Sequence, residues 1–168
     1  MLQHERIRKE VSELLKANGI RTLPIPVDTI AENLGIEIKY EPAEDALSGA
    51  LIRNSQEVVI GVNSEHHPNR QRFTIAHEIG HFVLHRGIKL HVDEDFRVNL
   101  RDGSTNADEI EANAFAAELL MPTAFMEREA QKIGQIDEAA KKRMARRFQV
   151  SVMAMEIRLA NLGLAIPV

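Results

Sequence analysis

Two histidines and a glutamate stand in the frame His77-Glu78-Ile79-Gly80-His81, inside the apolar run from Arg72 to His85. On an α-helix, at about 100° and about 1.5 Å per residue, His77 and His81 lie roughly 40° apart, one turn apart on one face, so both imidazoles can reach one cation. Zn²⁺ in a hydrolase takes three protein ligands and keeps a fourth position for water, whose pKa it lowers towards about 7. Two neutral imidazoles leave the ion's positive charge high. Glu78, beside the first histidine, is then placed to accept the water's proton and return it to a leaving amine, the role of a general base.

So short a pattern also arises by chance on a solvated helix face, where it needs no metal. The flanks argue otherwise. Thr74, Ile75, Ile79, Phe82 and Val83 surround the pair with apolar or β-branched bulk, which predicts a largely buried helix. Buried, unpaired His and Glu are costly. Gly80 inside the helix costs about 1 kcal/mol relative to Ala, which predicts a close approach over that turn, as by a strand or a substrate backbone.

A third ligand has to come from elsewhere, and with no cysteine in the chain it must be His or a carboxylate. His85 continues the four-residue spacing but lies about 12 Å along the axis from His77. Bonds of about 2 Å cannot close that gap, so His85 reads as a core, cleft-lining or ligand-supporting residue. His66-His67 precede Pro68 in a linker, where neighbouring side chains diverge. The Ala-rich stretch Ala107–Pro122 offers Asp108, Glu109, Glu111 and Glu118. Glu111 shares a face with Ala114, Phe115 and Glu118 and is the preferred ligand, with Glu118 and Glu109 as alternatives.

The chain has 168 residues, room for one domain with at most a small appendage. Its net charge of −4 and pI near 6.0 disfavour nucleic-acid binding driven by bulk charge. The charged start from Met1 to Lys9 does not read as a secretory signal, and no stretch approaches the roughly 18 apolar residues of a membrane span. A cytoplasmic location is the expectation.

Helical periodicity at Ile7, Val11, Leu14 and Leu15 ends at Asn18-Gly19, and a short helix follows from Val27 with Asp28 as cap and Gly35 as stop. Ile36–Tyr40 alternates as a strand, and Ser48–Arg53 and Glu57–Val62 read as a hairpin about Asn54-Ser55-Gln56. Residues 88–107 resist assignment and suggest a long polar loop that could cover a cleft. Helices from Thr123 to Ile133, Asp137 to Phe148 and Val152 to Leu162 close the chain, the last two as a helix-turn-helix-like pair. The fold class expected is α+β: a small antiparallel sheet of about three strands packed on the His-bearing helix and a second ligand helix, with helices at both ends. The boundary expected is residues 1–125 for the core and 126–168 for the helical appendage.

Arg70–His81 followed by Glu111–Pro122 resembles the ImmA/IrrE family of bacterial and phage metallopeptidases, and the similarity extends to Pro26–Ala31 and Leu34-Gly35-Ile36. The resemblance implies a thermolysin-like zinc endopeptidase fold with one Zn²⁺ on His77, His81 and Glu111, and Glu78 as base. It further implies a protein substrate, a helix-turn-helix repressor of the Xre type, whose cleavage would derepress a mobile element, prophage or stress regulon.

Within the residues themselves, Tyr40, His85 and His91 are the weakly marked choices for stabilising an oxyanion, and Gly49 and Gly61 suggest that a strand within 48–62 offers its edge to an extended substrate. The competing reading is a DNA- or partner-binding regulator without peptidase activity, built on Lys141-Lys142-Arg143 and Arg146-Arg147 of the C-terminal pair. The apolar residues of its second helix, with Arg158 and Asn161 as exceptions, disfavour base reading.

Overall fold

In a computed structural model, residues 3–94 and 106–165 are described. The elements in order are α1 (Gln3–Ala17), α2 (Val27–Asn33), β1 (Ile36–Glu41), β2 (Leu47–Arg53), β3 (Val58–Asn63), α3 (Pro68–Leu84), β4 (Leu90–Glu94), α4 (Asn106–Leu120), α5 (Thr123–Ile133), α6 (Glu138–Phe148) and α7 (Val152–Asn161). The α+β class holds. The expected sheet of three antiparallel strands does not: four strands run in the order β1-β3-β2-β4, with β1 parallel to β3 and the other pairings antiparallel.

The β2–β3 hairpin forms as its turn residues dictate. Asn54 Oδ1 accepts from the backbone N–H groups of Gln56 and Glu57, at 2.8 and 2.9 Å, closing the turn. Because β1 joins on the far side of β3, the chain crosses over between β1 and β2, and Asn63 ties that crossover down. Its side-chain amide donates to the carbonyls of Ala43, Glu44 and Leu47.

β4 was not readable as a strand because its alternation is inverted. Leu90 is 44% exposed, whereas His91 is 1% exposed. Residues 95–105, most of the stretch suggested as a covering loop, lie outside the described residues.

Two compact units divide the chain: Pro26–Ala116, and Met1–Ile25 with Ala117–Val168. This differs from the expected boundary at residue 125, since α1 is grouped with α5, α6 and α7. In the second unit Ile7, Val11, Phe125, Met126, Met144, Phe148, Met155 and Leu159 are buried. Asp137 caps α6 by accepting from Ala140 N–H, Gln149 turns the chain in the left-handed region (φ 54°), and Ser151 caps α7 through Ala154 N–H. Glu118 is enclosed here, accepting from Thr123 and from Arg158, which also donates to the Met121 carbonyl.

In the first unit α3 packs on β2 and β3, and the faces meet closely. A Cβ on Gly49 would stand 2.4 Å from the Gly61 carbonyl oxygen and 2.5 Å from Thr74 Cγ2 of α3, so this glycine permits helix-on-sheet packing rather than substrate approach. At the other end of β2, the Arg53 guanidinium donates to the carbonyls of Phe82 (2.6 Å) and Arg86 (2.7 Å) and lies over the Phe82 ring. A cation on the last carbonyls of α3 satisfies acceptors the helix leaves open. Gly49→Ala is expected to destabilise the protein by at least about 1–3 kcal/mol, because the obstructing atoms include backbone; the denaturation midpoint in urea measures this.

Candidate metal centre

The burial expected for the His-bearing helix is found: every residue from Thr74 to His81 is buried, with Glu78 and His81 at 0% exposure. α3 starts at Pro68, and His67 caps it by accepting from Asn69 N–H. Its neighbour His66 bonds Asn63 and the Asp45 carbonyl, so the His66-His67 pair serves the linker and the helix start.

Gly80 faces α4. A Cβ there would meet the Phe115 ring at 3.1 Å, so the close approach inferred from this glycine is to an aromatic side chain of the second helix. That contact brings the start of α4 over the two imidazoles. His77 Nε2 and His81 Nε2 stand 3.2 Å apart. Each lies 3.1 Å from a carboxylate oxygen of Glu109, His77 from Oε2 and His81 from Oε1.

Here the expectation for Glu111 is corrected. The carboxylate against His77 and His81 is Glu109, whereas Glu111 lies 3.6 Å from His85 Nε2 and Glu118 is held by Arg158 and Thr123. Residues two apart on a helix point to nearly opposite sides, so the two glutamates cannot exchange places without turning α4. Ala112 and Ala116, three and seven residues on, share the side of Glu109 and are at 0% exposure, but Phe115, four residues on from Glu111, is buried as completely, so helical spacing alone does not choose between the two glutamates.

The donor set fits a divalent cation. Around a tetrahedral ion with bonds of about 2.0–2.1 Å, donor atoms stand roughly 3.3–3.4 Å apart. The two imidazole nitrogens, 3.2 Å apart and each 3.1 Å from a different oxygen of Glu109, have spacings close to that figure.

Around these donors the remaining groups are ordered. His81 Nδ1 and His85 Nδ1 are 2.9 Å apart, and His85 Nε2 faces Asp108 Oδ1 at 3.4 Å and Glu111. With His81 Nε2 turned to a cation, its Nδ1 carries the hydrogen and donates to His85. His85 is thus a support for His81. Among the described residues His77 Nδ1 and His85 Nε2 have no hydrogen-bond partner.

His91, from β4, donates through Nδ1 to both Glu78 oxygens at 2.8 and 3.0 Å and contacts Glu109 through Nε2. Tyr40 is on β1 and 51% exposed. Burial raises the pKa of Glu78, against the opposing pull of His91. Burial works against a charged His91, but Glu109 and Glu78 more than offset it and push its pKa up to about 10. Burial brings His81 down to about 4 despite its bond to Glu109. For Glu109 burial acts upward, yet its bonds to the three imidazoles hold it well below the usual carboxylate range.

Residues 31–160 match the family model described as the IrrE N-terminal-like domain. The radiation response metalloprotease IrrE of Deinococcus radiodurans is 33% identical over 122 residues, covering 70% of this chain and 34% of its own. IrrE of Deinococcus deserti is 35% identical over 109 residues, covering 61% and 36%. The chain therefore spans about a third of the length of these curated relatives. A Mycobacterium tuberculosis transcriptional regulator matches with a TM-score of 0.65 over 93% of this chain and 46% of its own, and at 18% identity it shows the fold alone.

Metal analysis by mass spectrometry separates the glutamates. Glu109→Ala is expected to lose most bound metal, Glu111→Ala to keep it, and His85→Phe to bind about 10–100-fold more weakly, as for loss of a ligand's supporting partner.

Proposed function

Because the chain belongs to the ImmA/IrrE family, we propose that it is a zinc-dependent endopeptidase with Zn²⁺ held by His77, His81 and Glu109 and with Glu78 as general base. The observation that carries this reading is the pair of imidazole nitrogens on α3, 3.2 Å apart and each 3.1 Å from an oxygen of the Glu109 carboxylate on α4, with Glu78 buried on the same helix turn. A carboxylate from a second helix completing a His-His pair is the thermolysin-like, gluzincin arrangement.

A bound Zn²⁺ supplies Lewis acidity, lowering the pKa of water towards about 7 and polarising a scissile carbonyl. Glu78 takes a proton from the attacking water and returns it to the nitrogen of the broken peptide bond. Its burial favours the protonated form relative to an exposed carboxylate, which suits a group that must hold and release a proton near neutrality. Glu109 offsets the positive charge that two imidazoles cannot. His85, 2.9 Å from His81 Nδ1, fixes the tautomer of His81.

The expectation of a substrate strand pairing within 48–62 is corrected. β2 lies between β3 and β4, and β3 between β1 and β2, so neither offers a free edge. Among the described strands β4 stands at the end of the sheet, and it carries His91 to the site.

The substrate class that goes with this reading is a protein, a helix-turn-helix repressor of the Xre type, whose cleavage would derepress a mobile element, prophage or stress regulon. A DNA-binding role for the C-terminal pair has less support. Arg158 is engaged by Glu118 and Met121, Arg147 by Glu129 and Lys141 by Glu138, while the exposed face of α7 carries Val152, Met153 and Ile157. No helix among the described residues is long and apolar enough to cross a membrane.

Incubation with any helix-turn-helix repressor found to be encoded near this gene tests the proposal, with products mapped by mass spectrometry. Glu78→Gln is expected to retain metal and lose cleavage by about 10²–10⁴-fold, the usual contribution of a general base. A Glu78→Gln protein as active as the parent would remove Glu78 from the mechanism.

A further inference from the structure

The buried cluster holds one donor more than a catalytic centre needs. His77, His81, His91 and Glu109 each present a ligand atom within 4.8 Å of the others. His91 is 1% exposed, its ring is 4.0 Å from that of His81, and its Nε2 is hydrogen-bonded to Glu109 Oε1 at 2.5 Å, a contact that a cation between them would have to open as it displaces the Nε2 proton. Its Nδ1 donates to Glu78, which spends both carboxylate oxygens on that one ring. A metal-binding imidazole whose other nitrogen is held by a carboxylate is a recurrent way of fixing a ligand. Three protein donors leave a position open for water; four close the centre.

We propose that His91 is a fourth protein ligand, closing the centre in a resting form in which Glu78 orients His91 instead of activating water. This rests on the reading of His77, His81 and Glu109 as metal ligands. Hydrolysis then requires the His91 side chain to leave, which at once opens the fourth position and frees Glu78.

Cobalt(II)-substituted protein tests this without a known substrate. The visible absorption bands of the parent, His91→Phe and His91→Gln are recorded with and without excess azide, and cobalt affinity is measured by chelator competition. In the closed form the parent bands do not move with azide. Both variants are expected to shift with azide and to bind cobalt at least about tenfold more weakly, the smaller cost known for loss of a mere supporting partner being the lower bound. Azide-sensitive parent bands, or variants with undiminished cobalt affinity, overturn the fourth ligand while leaving the peptidase reading intact. Tight, azide-insensitive cobalt in the parent, with no cleavage of any repressor encoded near the gene by parent or variants, supports the fourth ligand and removes the peptidase reading. Folded parent protein that takes up no cobalt overturns both.

Discussion

Burying His77, Glu78 and His81 on consecutive positions of one helix face is the constraint to which the rest of the first unit answers. Each of these groups is at 2% exposure or less, and a buried ionisable group without a partner is costly. Glu109 from α4, His91 from β4 and His85 at the end of α3 are partners that the described residues supply. Neither Glu109 nor His91 could be moved outward without stranding the charge it faces.

Several otherwise unremarkable residues acquire a purpose from that requirement. Gly80 gives Phe115 the room to bring α4 against α3, and the alanines at 112 and 116 keep the same face of α4 slim. Gly49 lets α3 settle on the sheet. Arg53 holds the carbonyls at the end of α3, the turn that carries His81 and His85. The lever common to these contacts is distance: hydrogen bonds and metal bonds tolerate shifts of only a few tenths of an ångström, so a site of this kind depends on packing that does not drift.

Much of this was legible in the residues. The helices announced themselves by periodicity and by their stops, the hairpin by Asn54, and the centre by two histidines in an apolar run. What was not legible depended on tertiary azimuth. Glu109 and Glu111 differ by two positions, and α4 is buried beyond both, with Ala112 and Ala116 on the side of one and Phe115 on the side of the other, so its sequence does not tell which carboxylate meets the imidazoles. β4 was hidden because it turns His91 inward and leaves Leu90 half exposed, the reverse of the usual pattern for a strand over an apolar core. The position of β1 beside β3 could not be read either, since a parallel pairing through a crossover leaves no local turn signal of the kind that marks a hairpin.

A crystal grown without added metal, with anomalous diffraction collected on both sides of the zinc edge, tests the central assignment most directly. The expected result is one peak per chain, within about 2.0–2.2 Å of His77 Nε2, His81 Nε2 and a Glu109 oxygen. A peak among His85, Asp108 and Glu111 instead, or no anomalous density near the two α3 histidines even after zinc soaking, would contradict it.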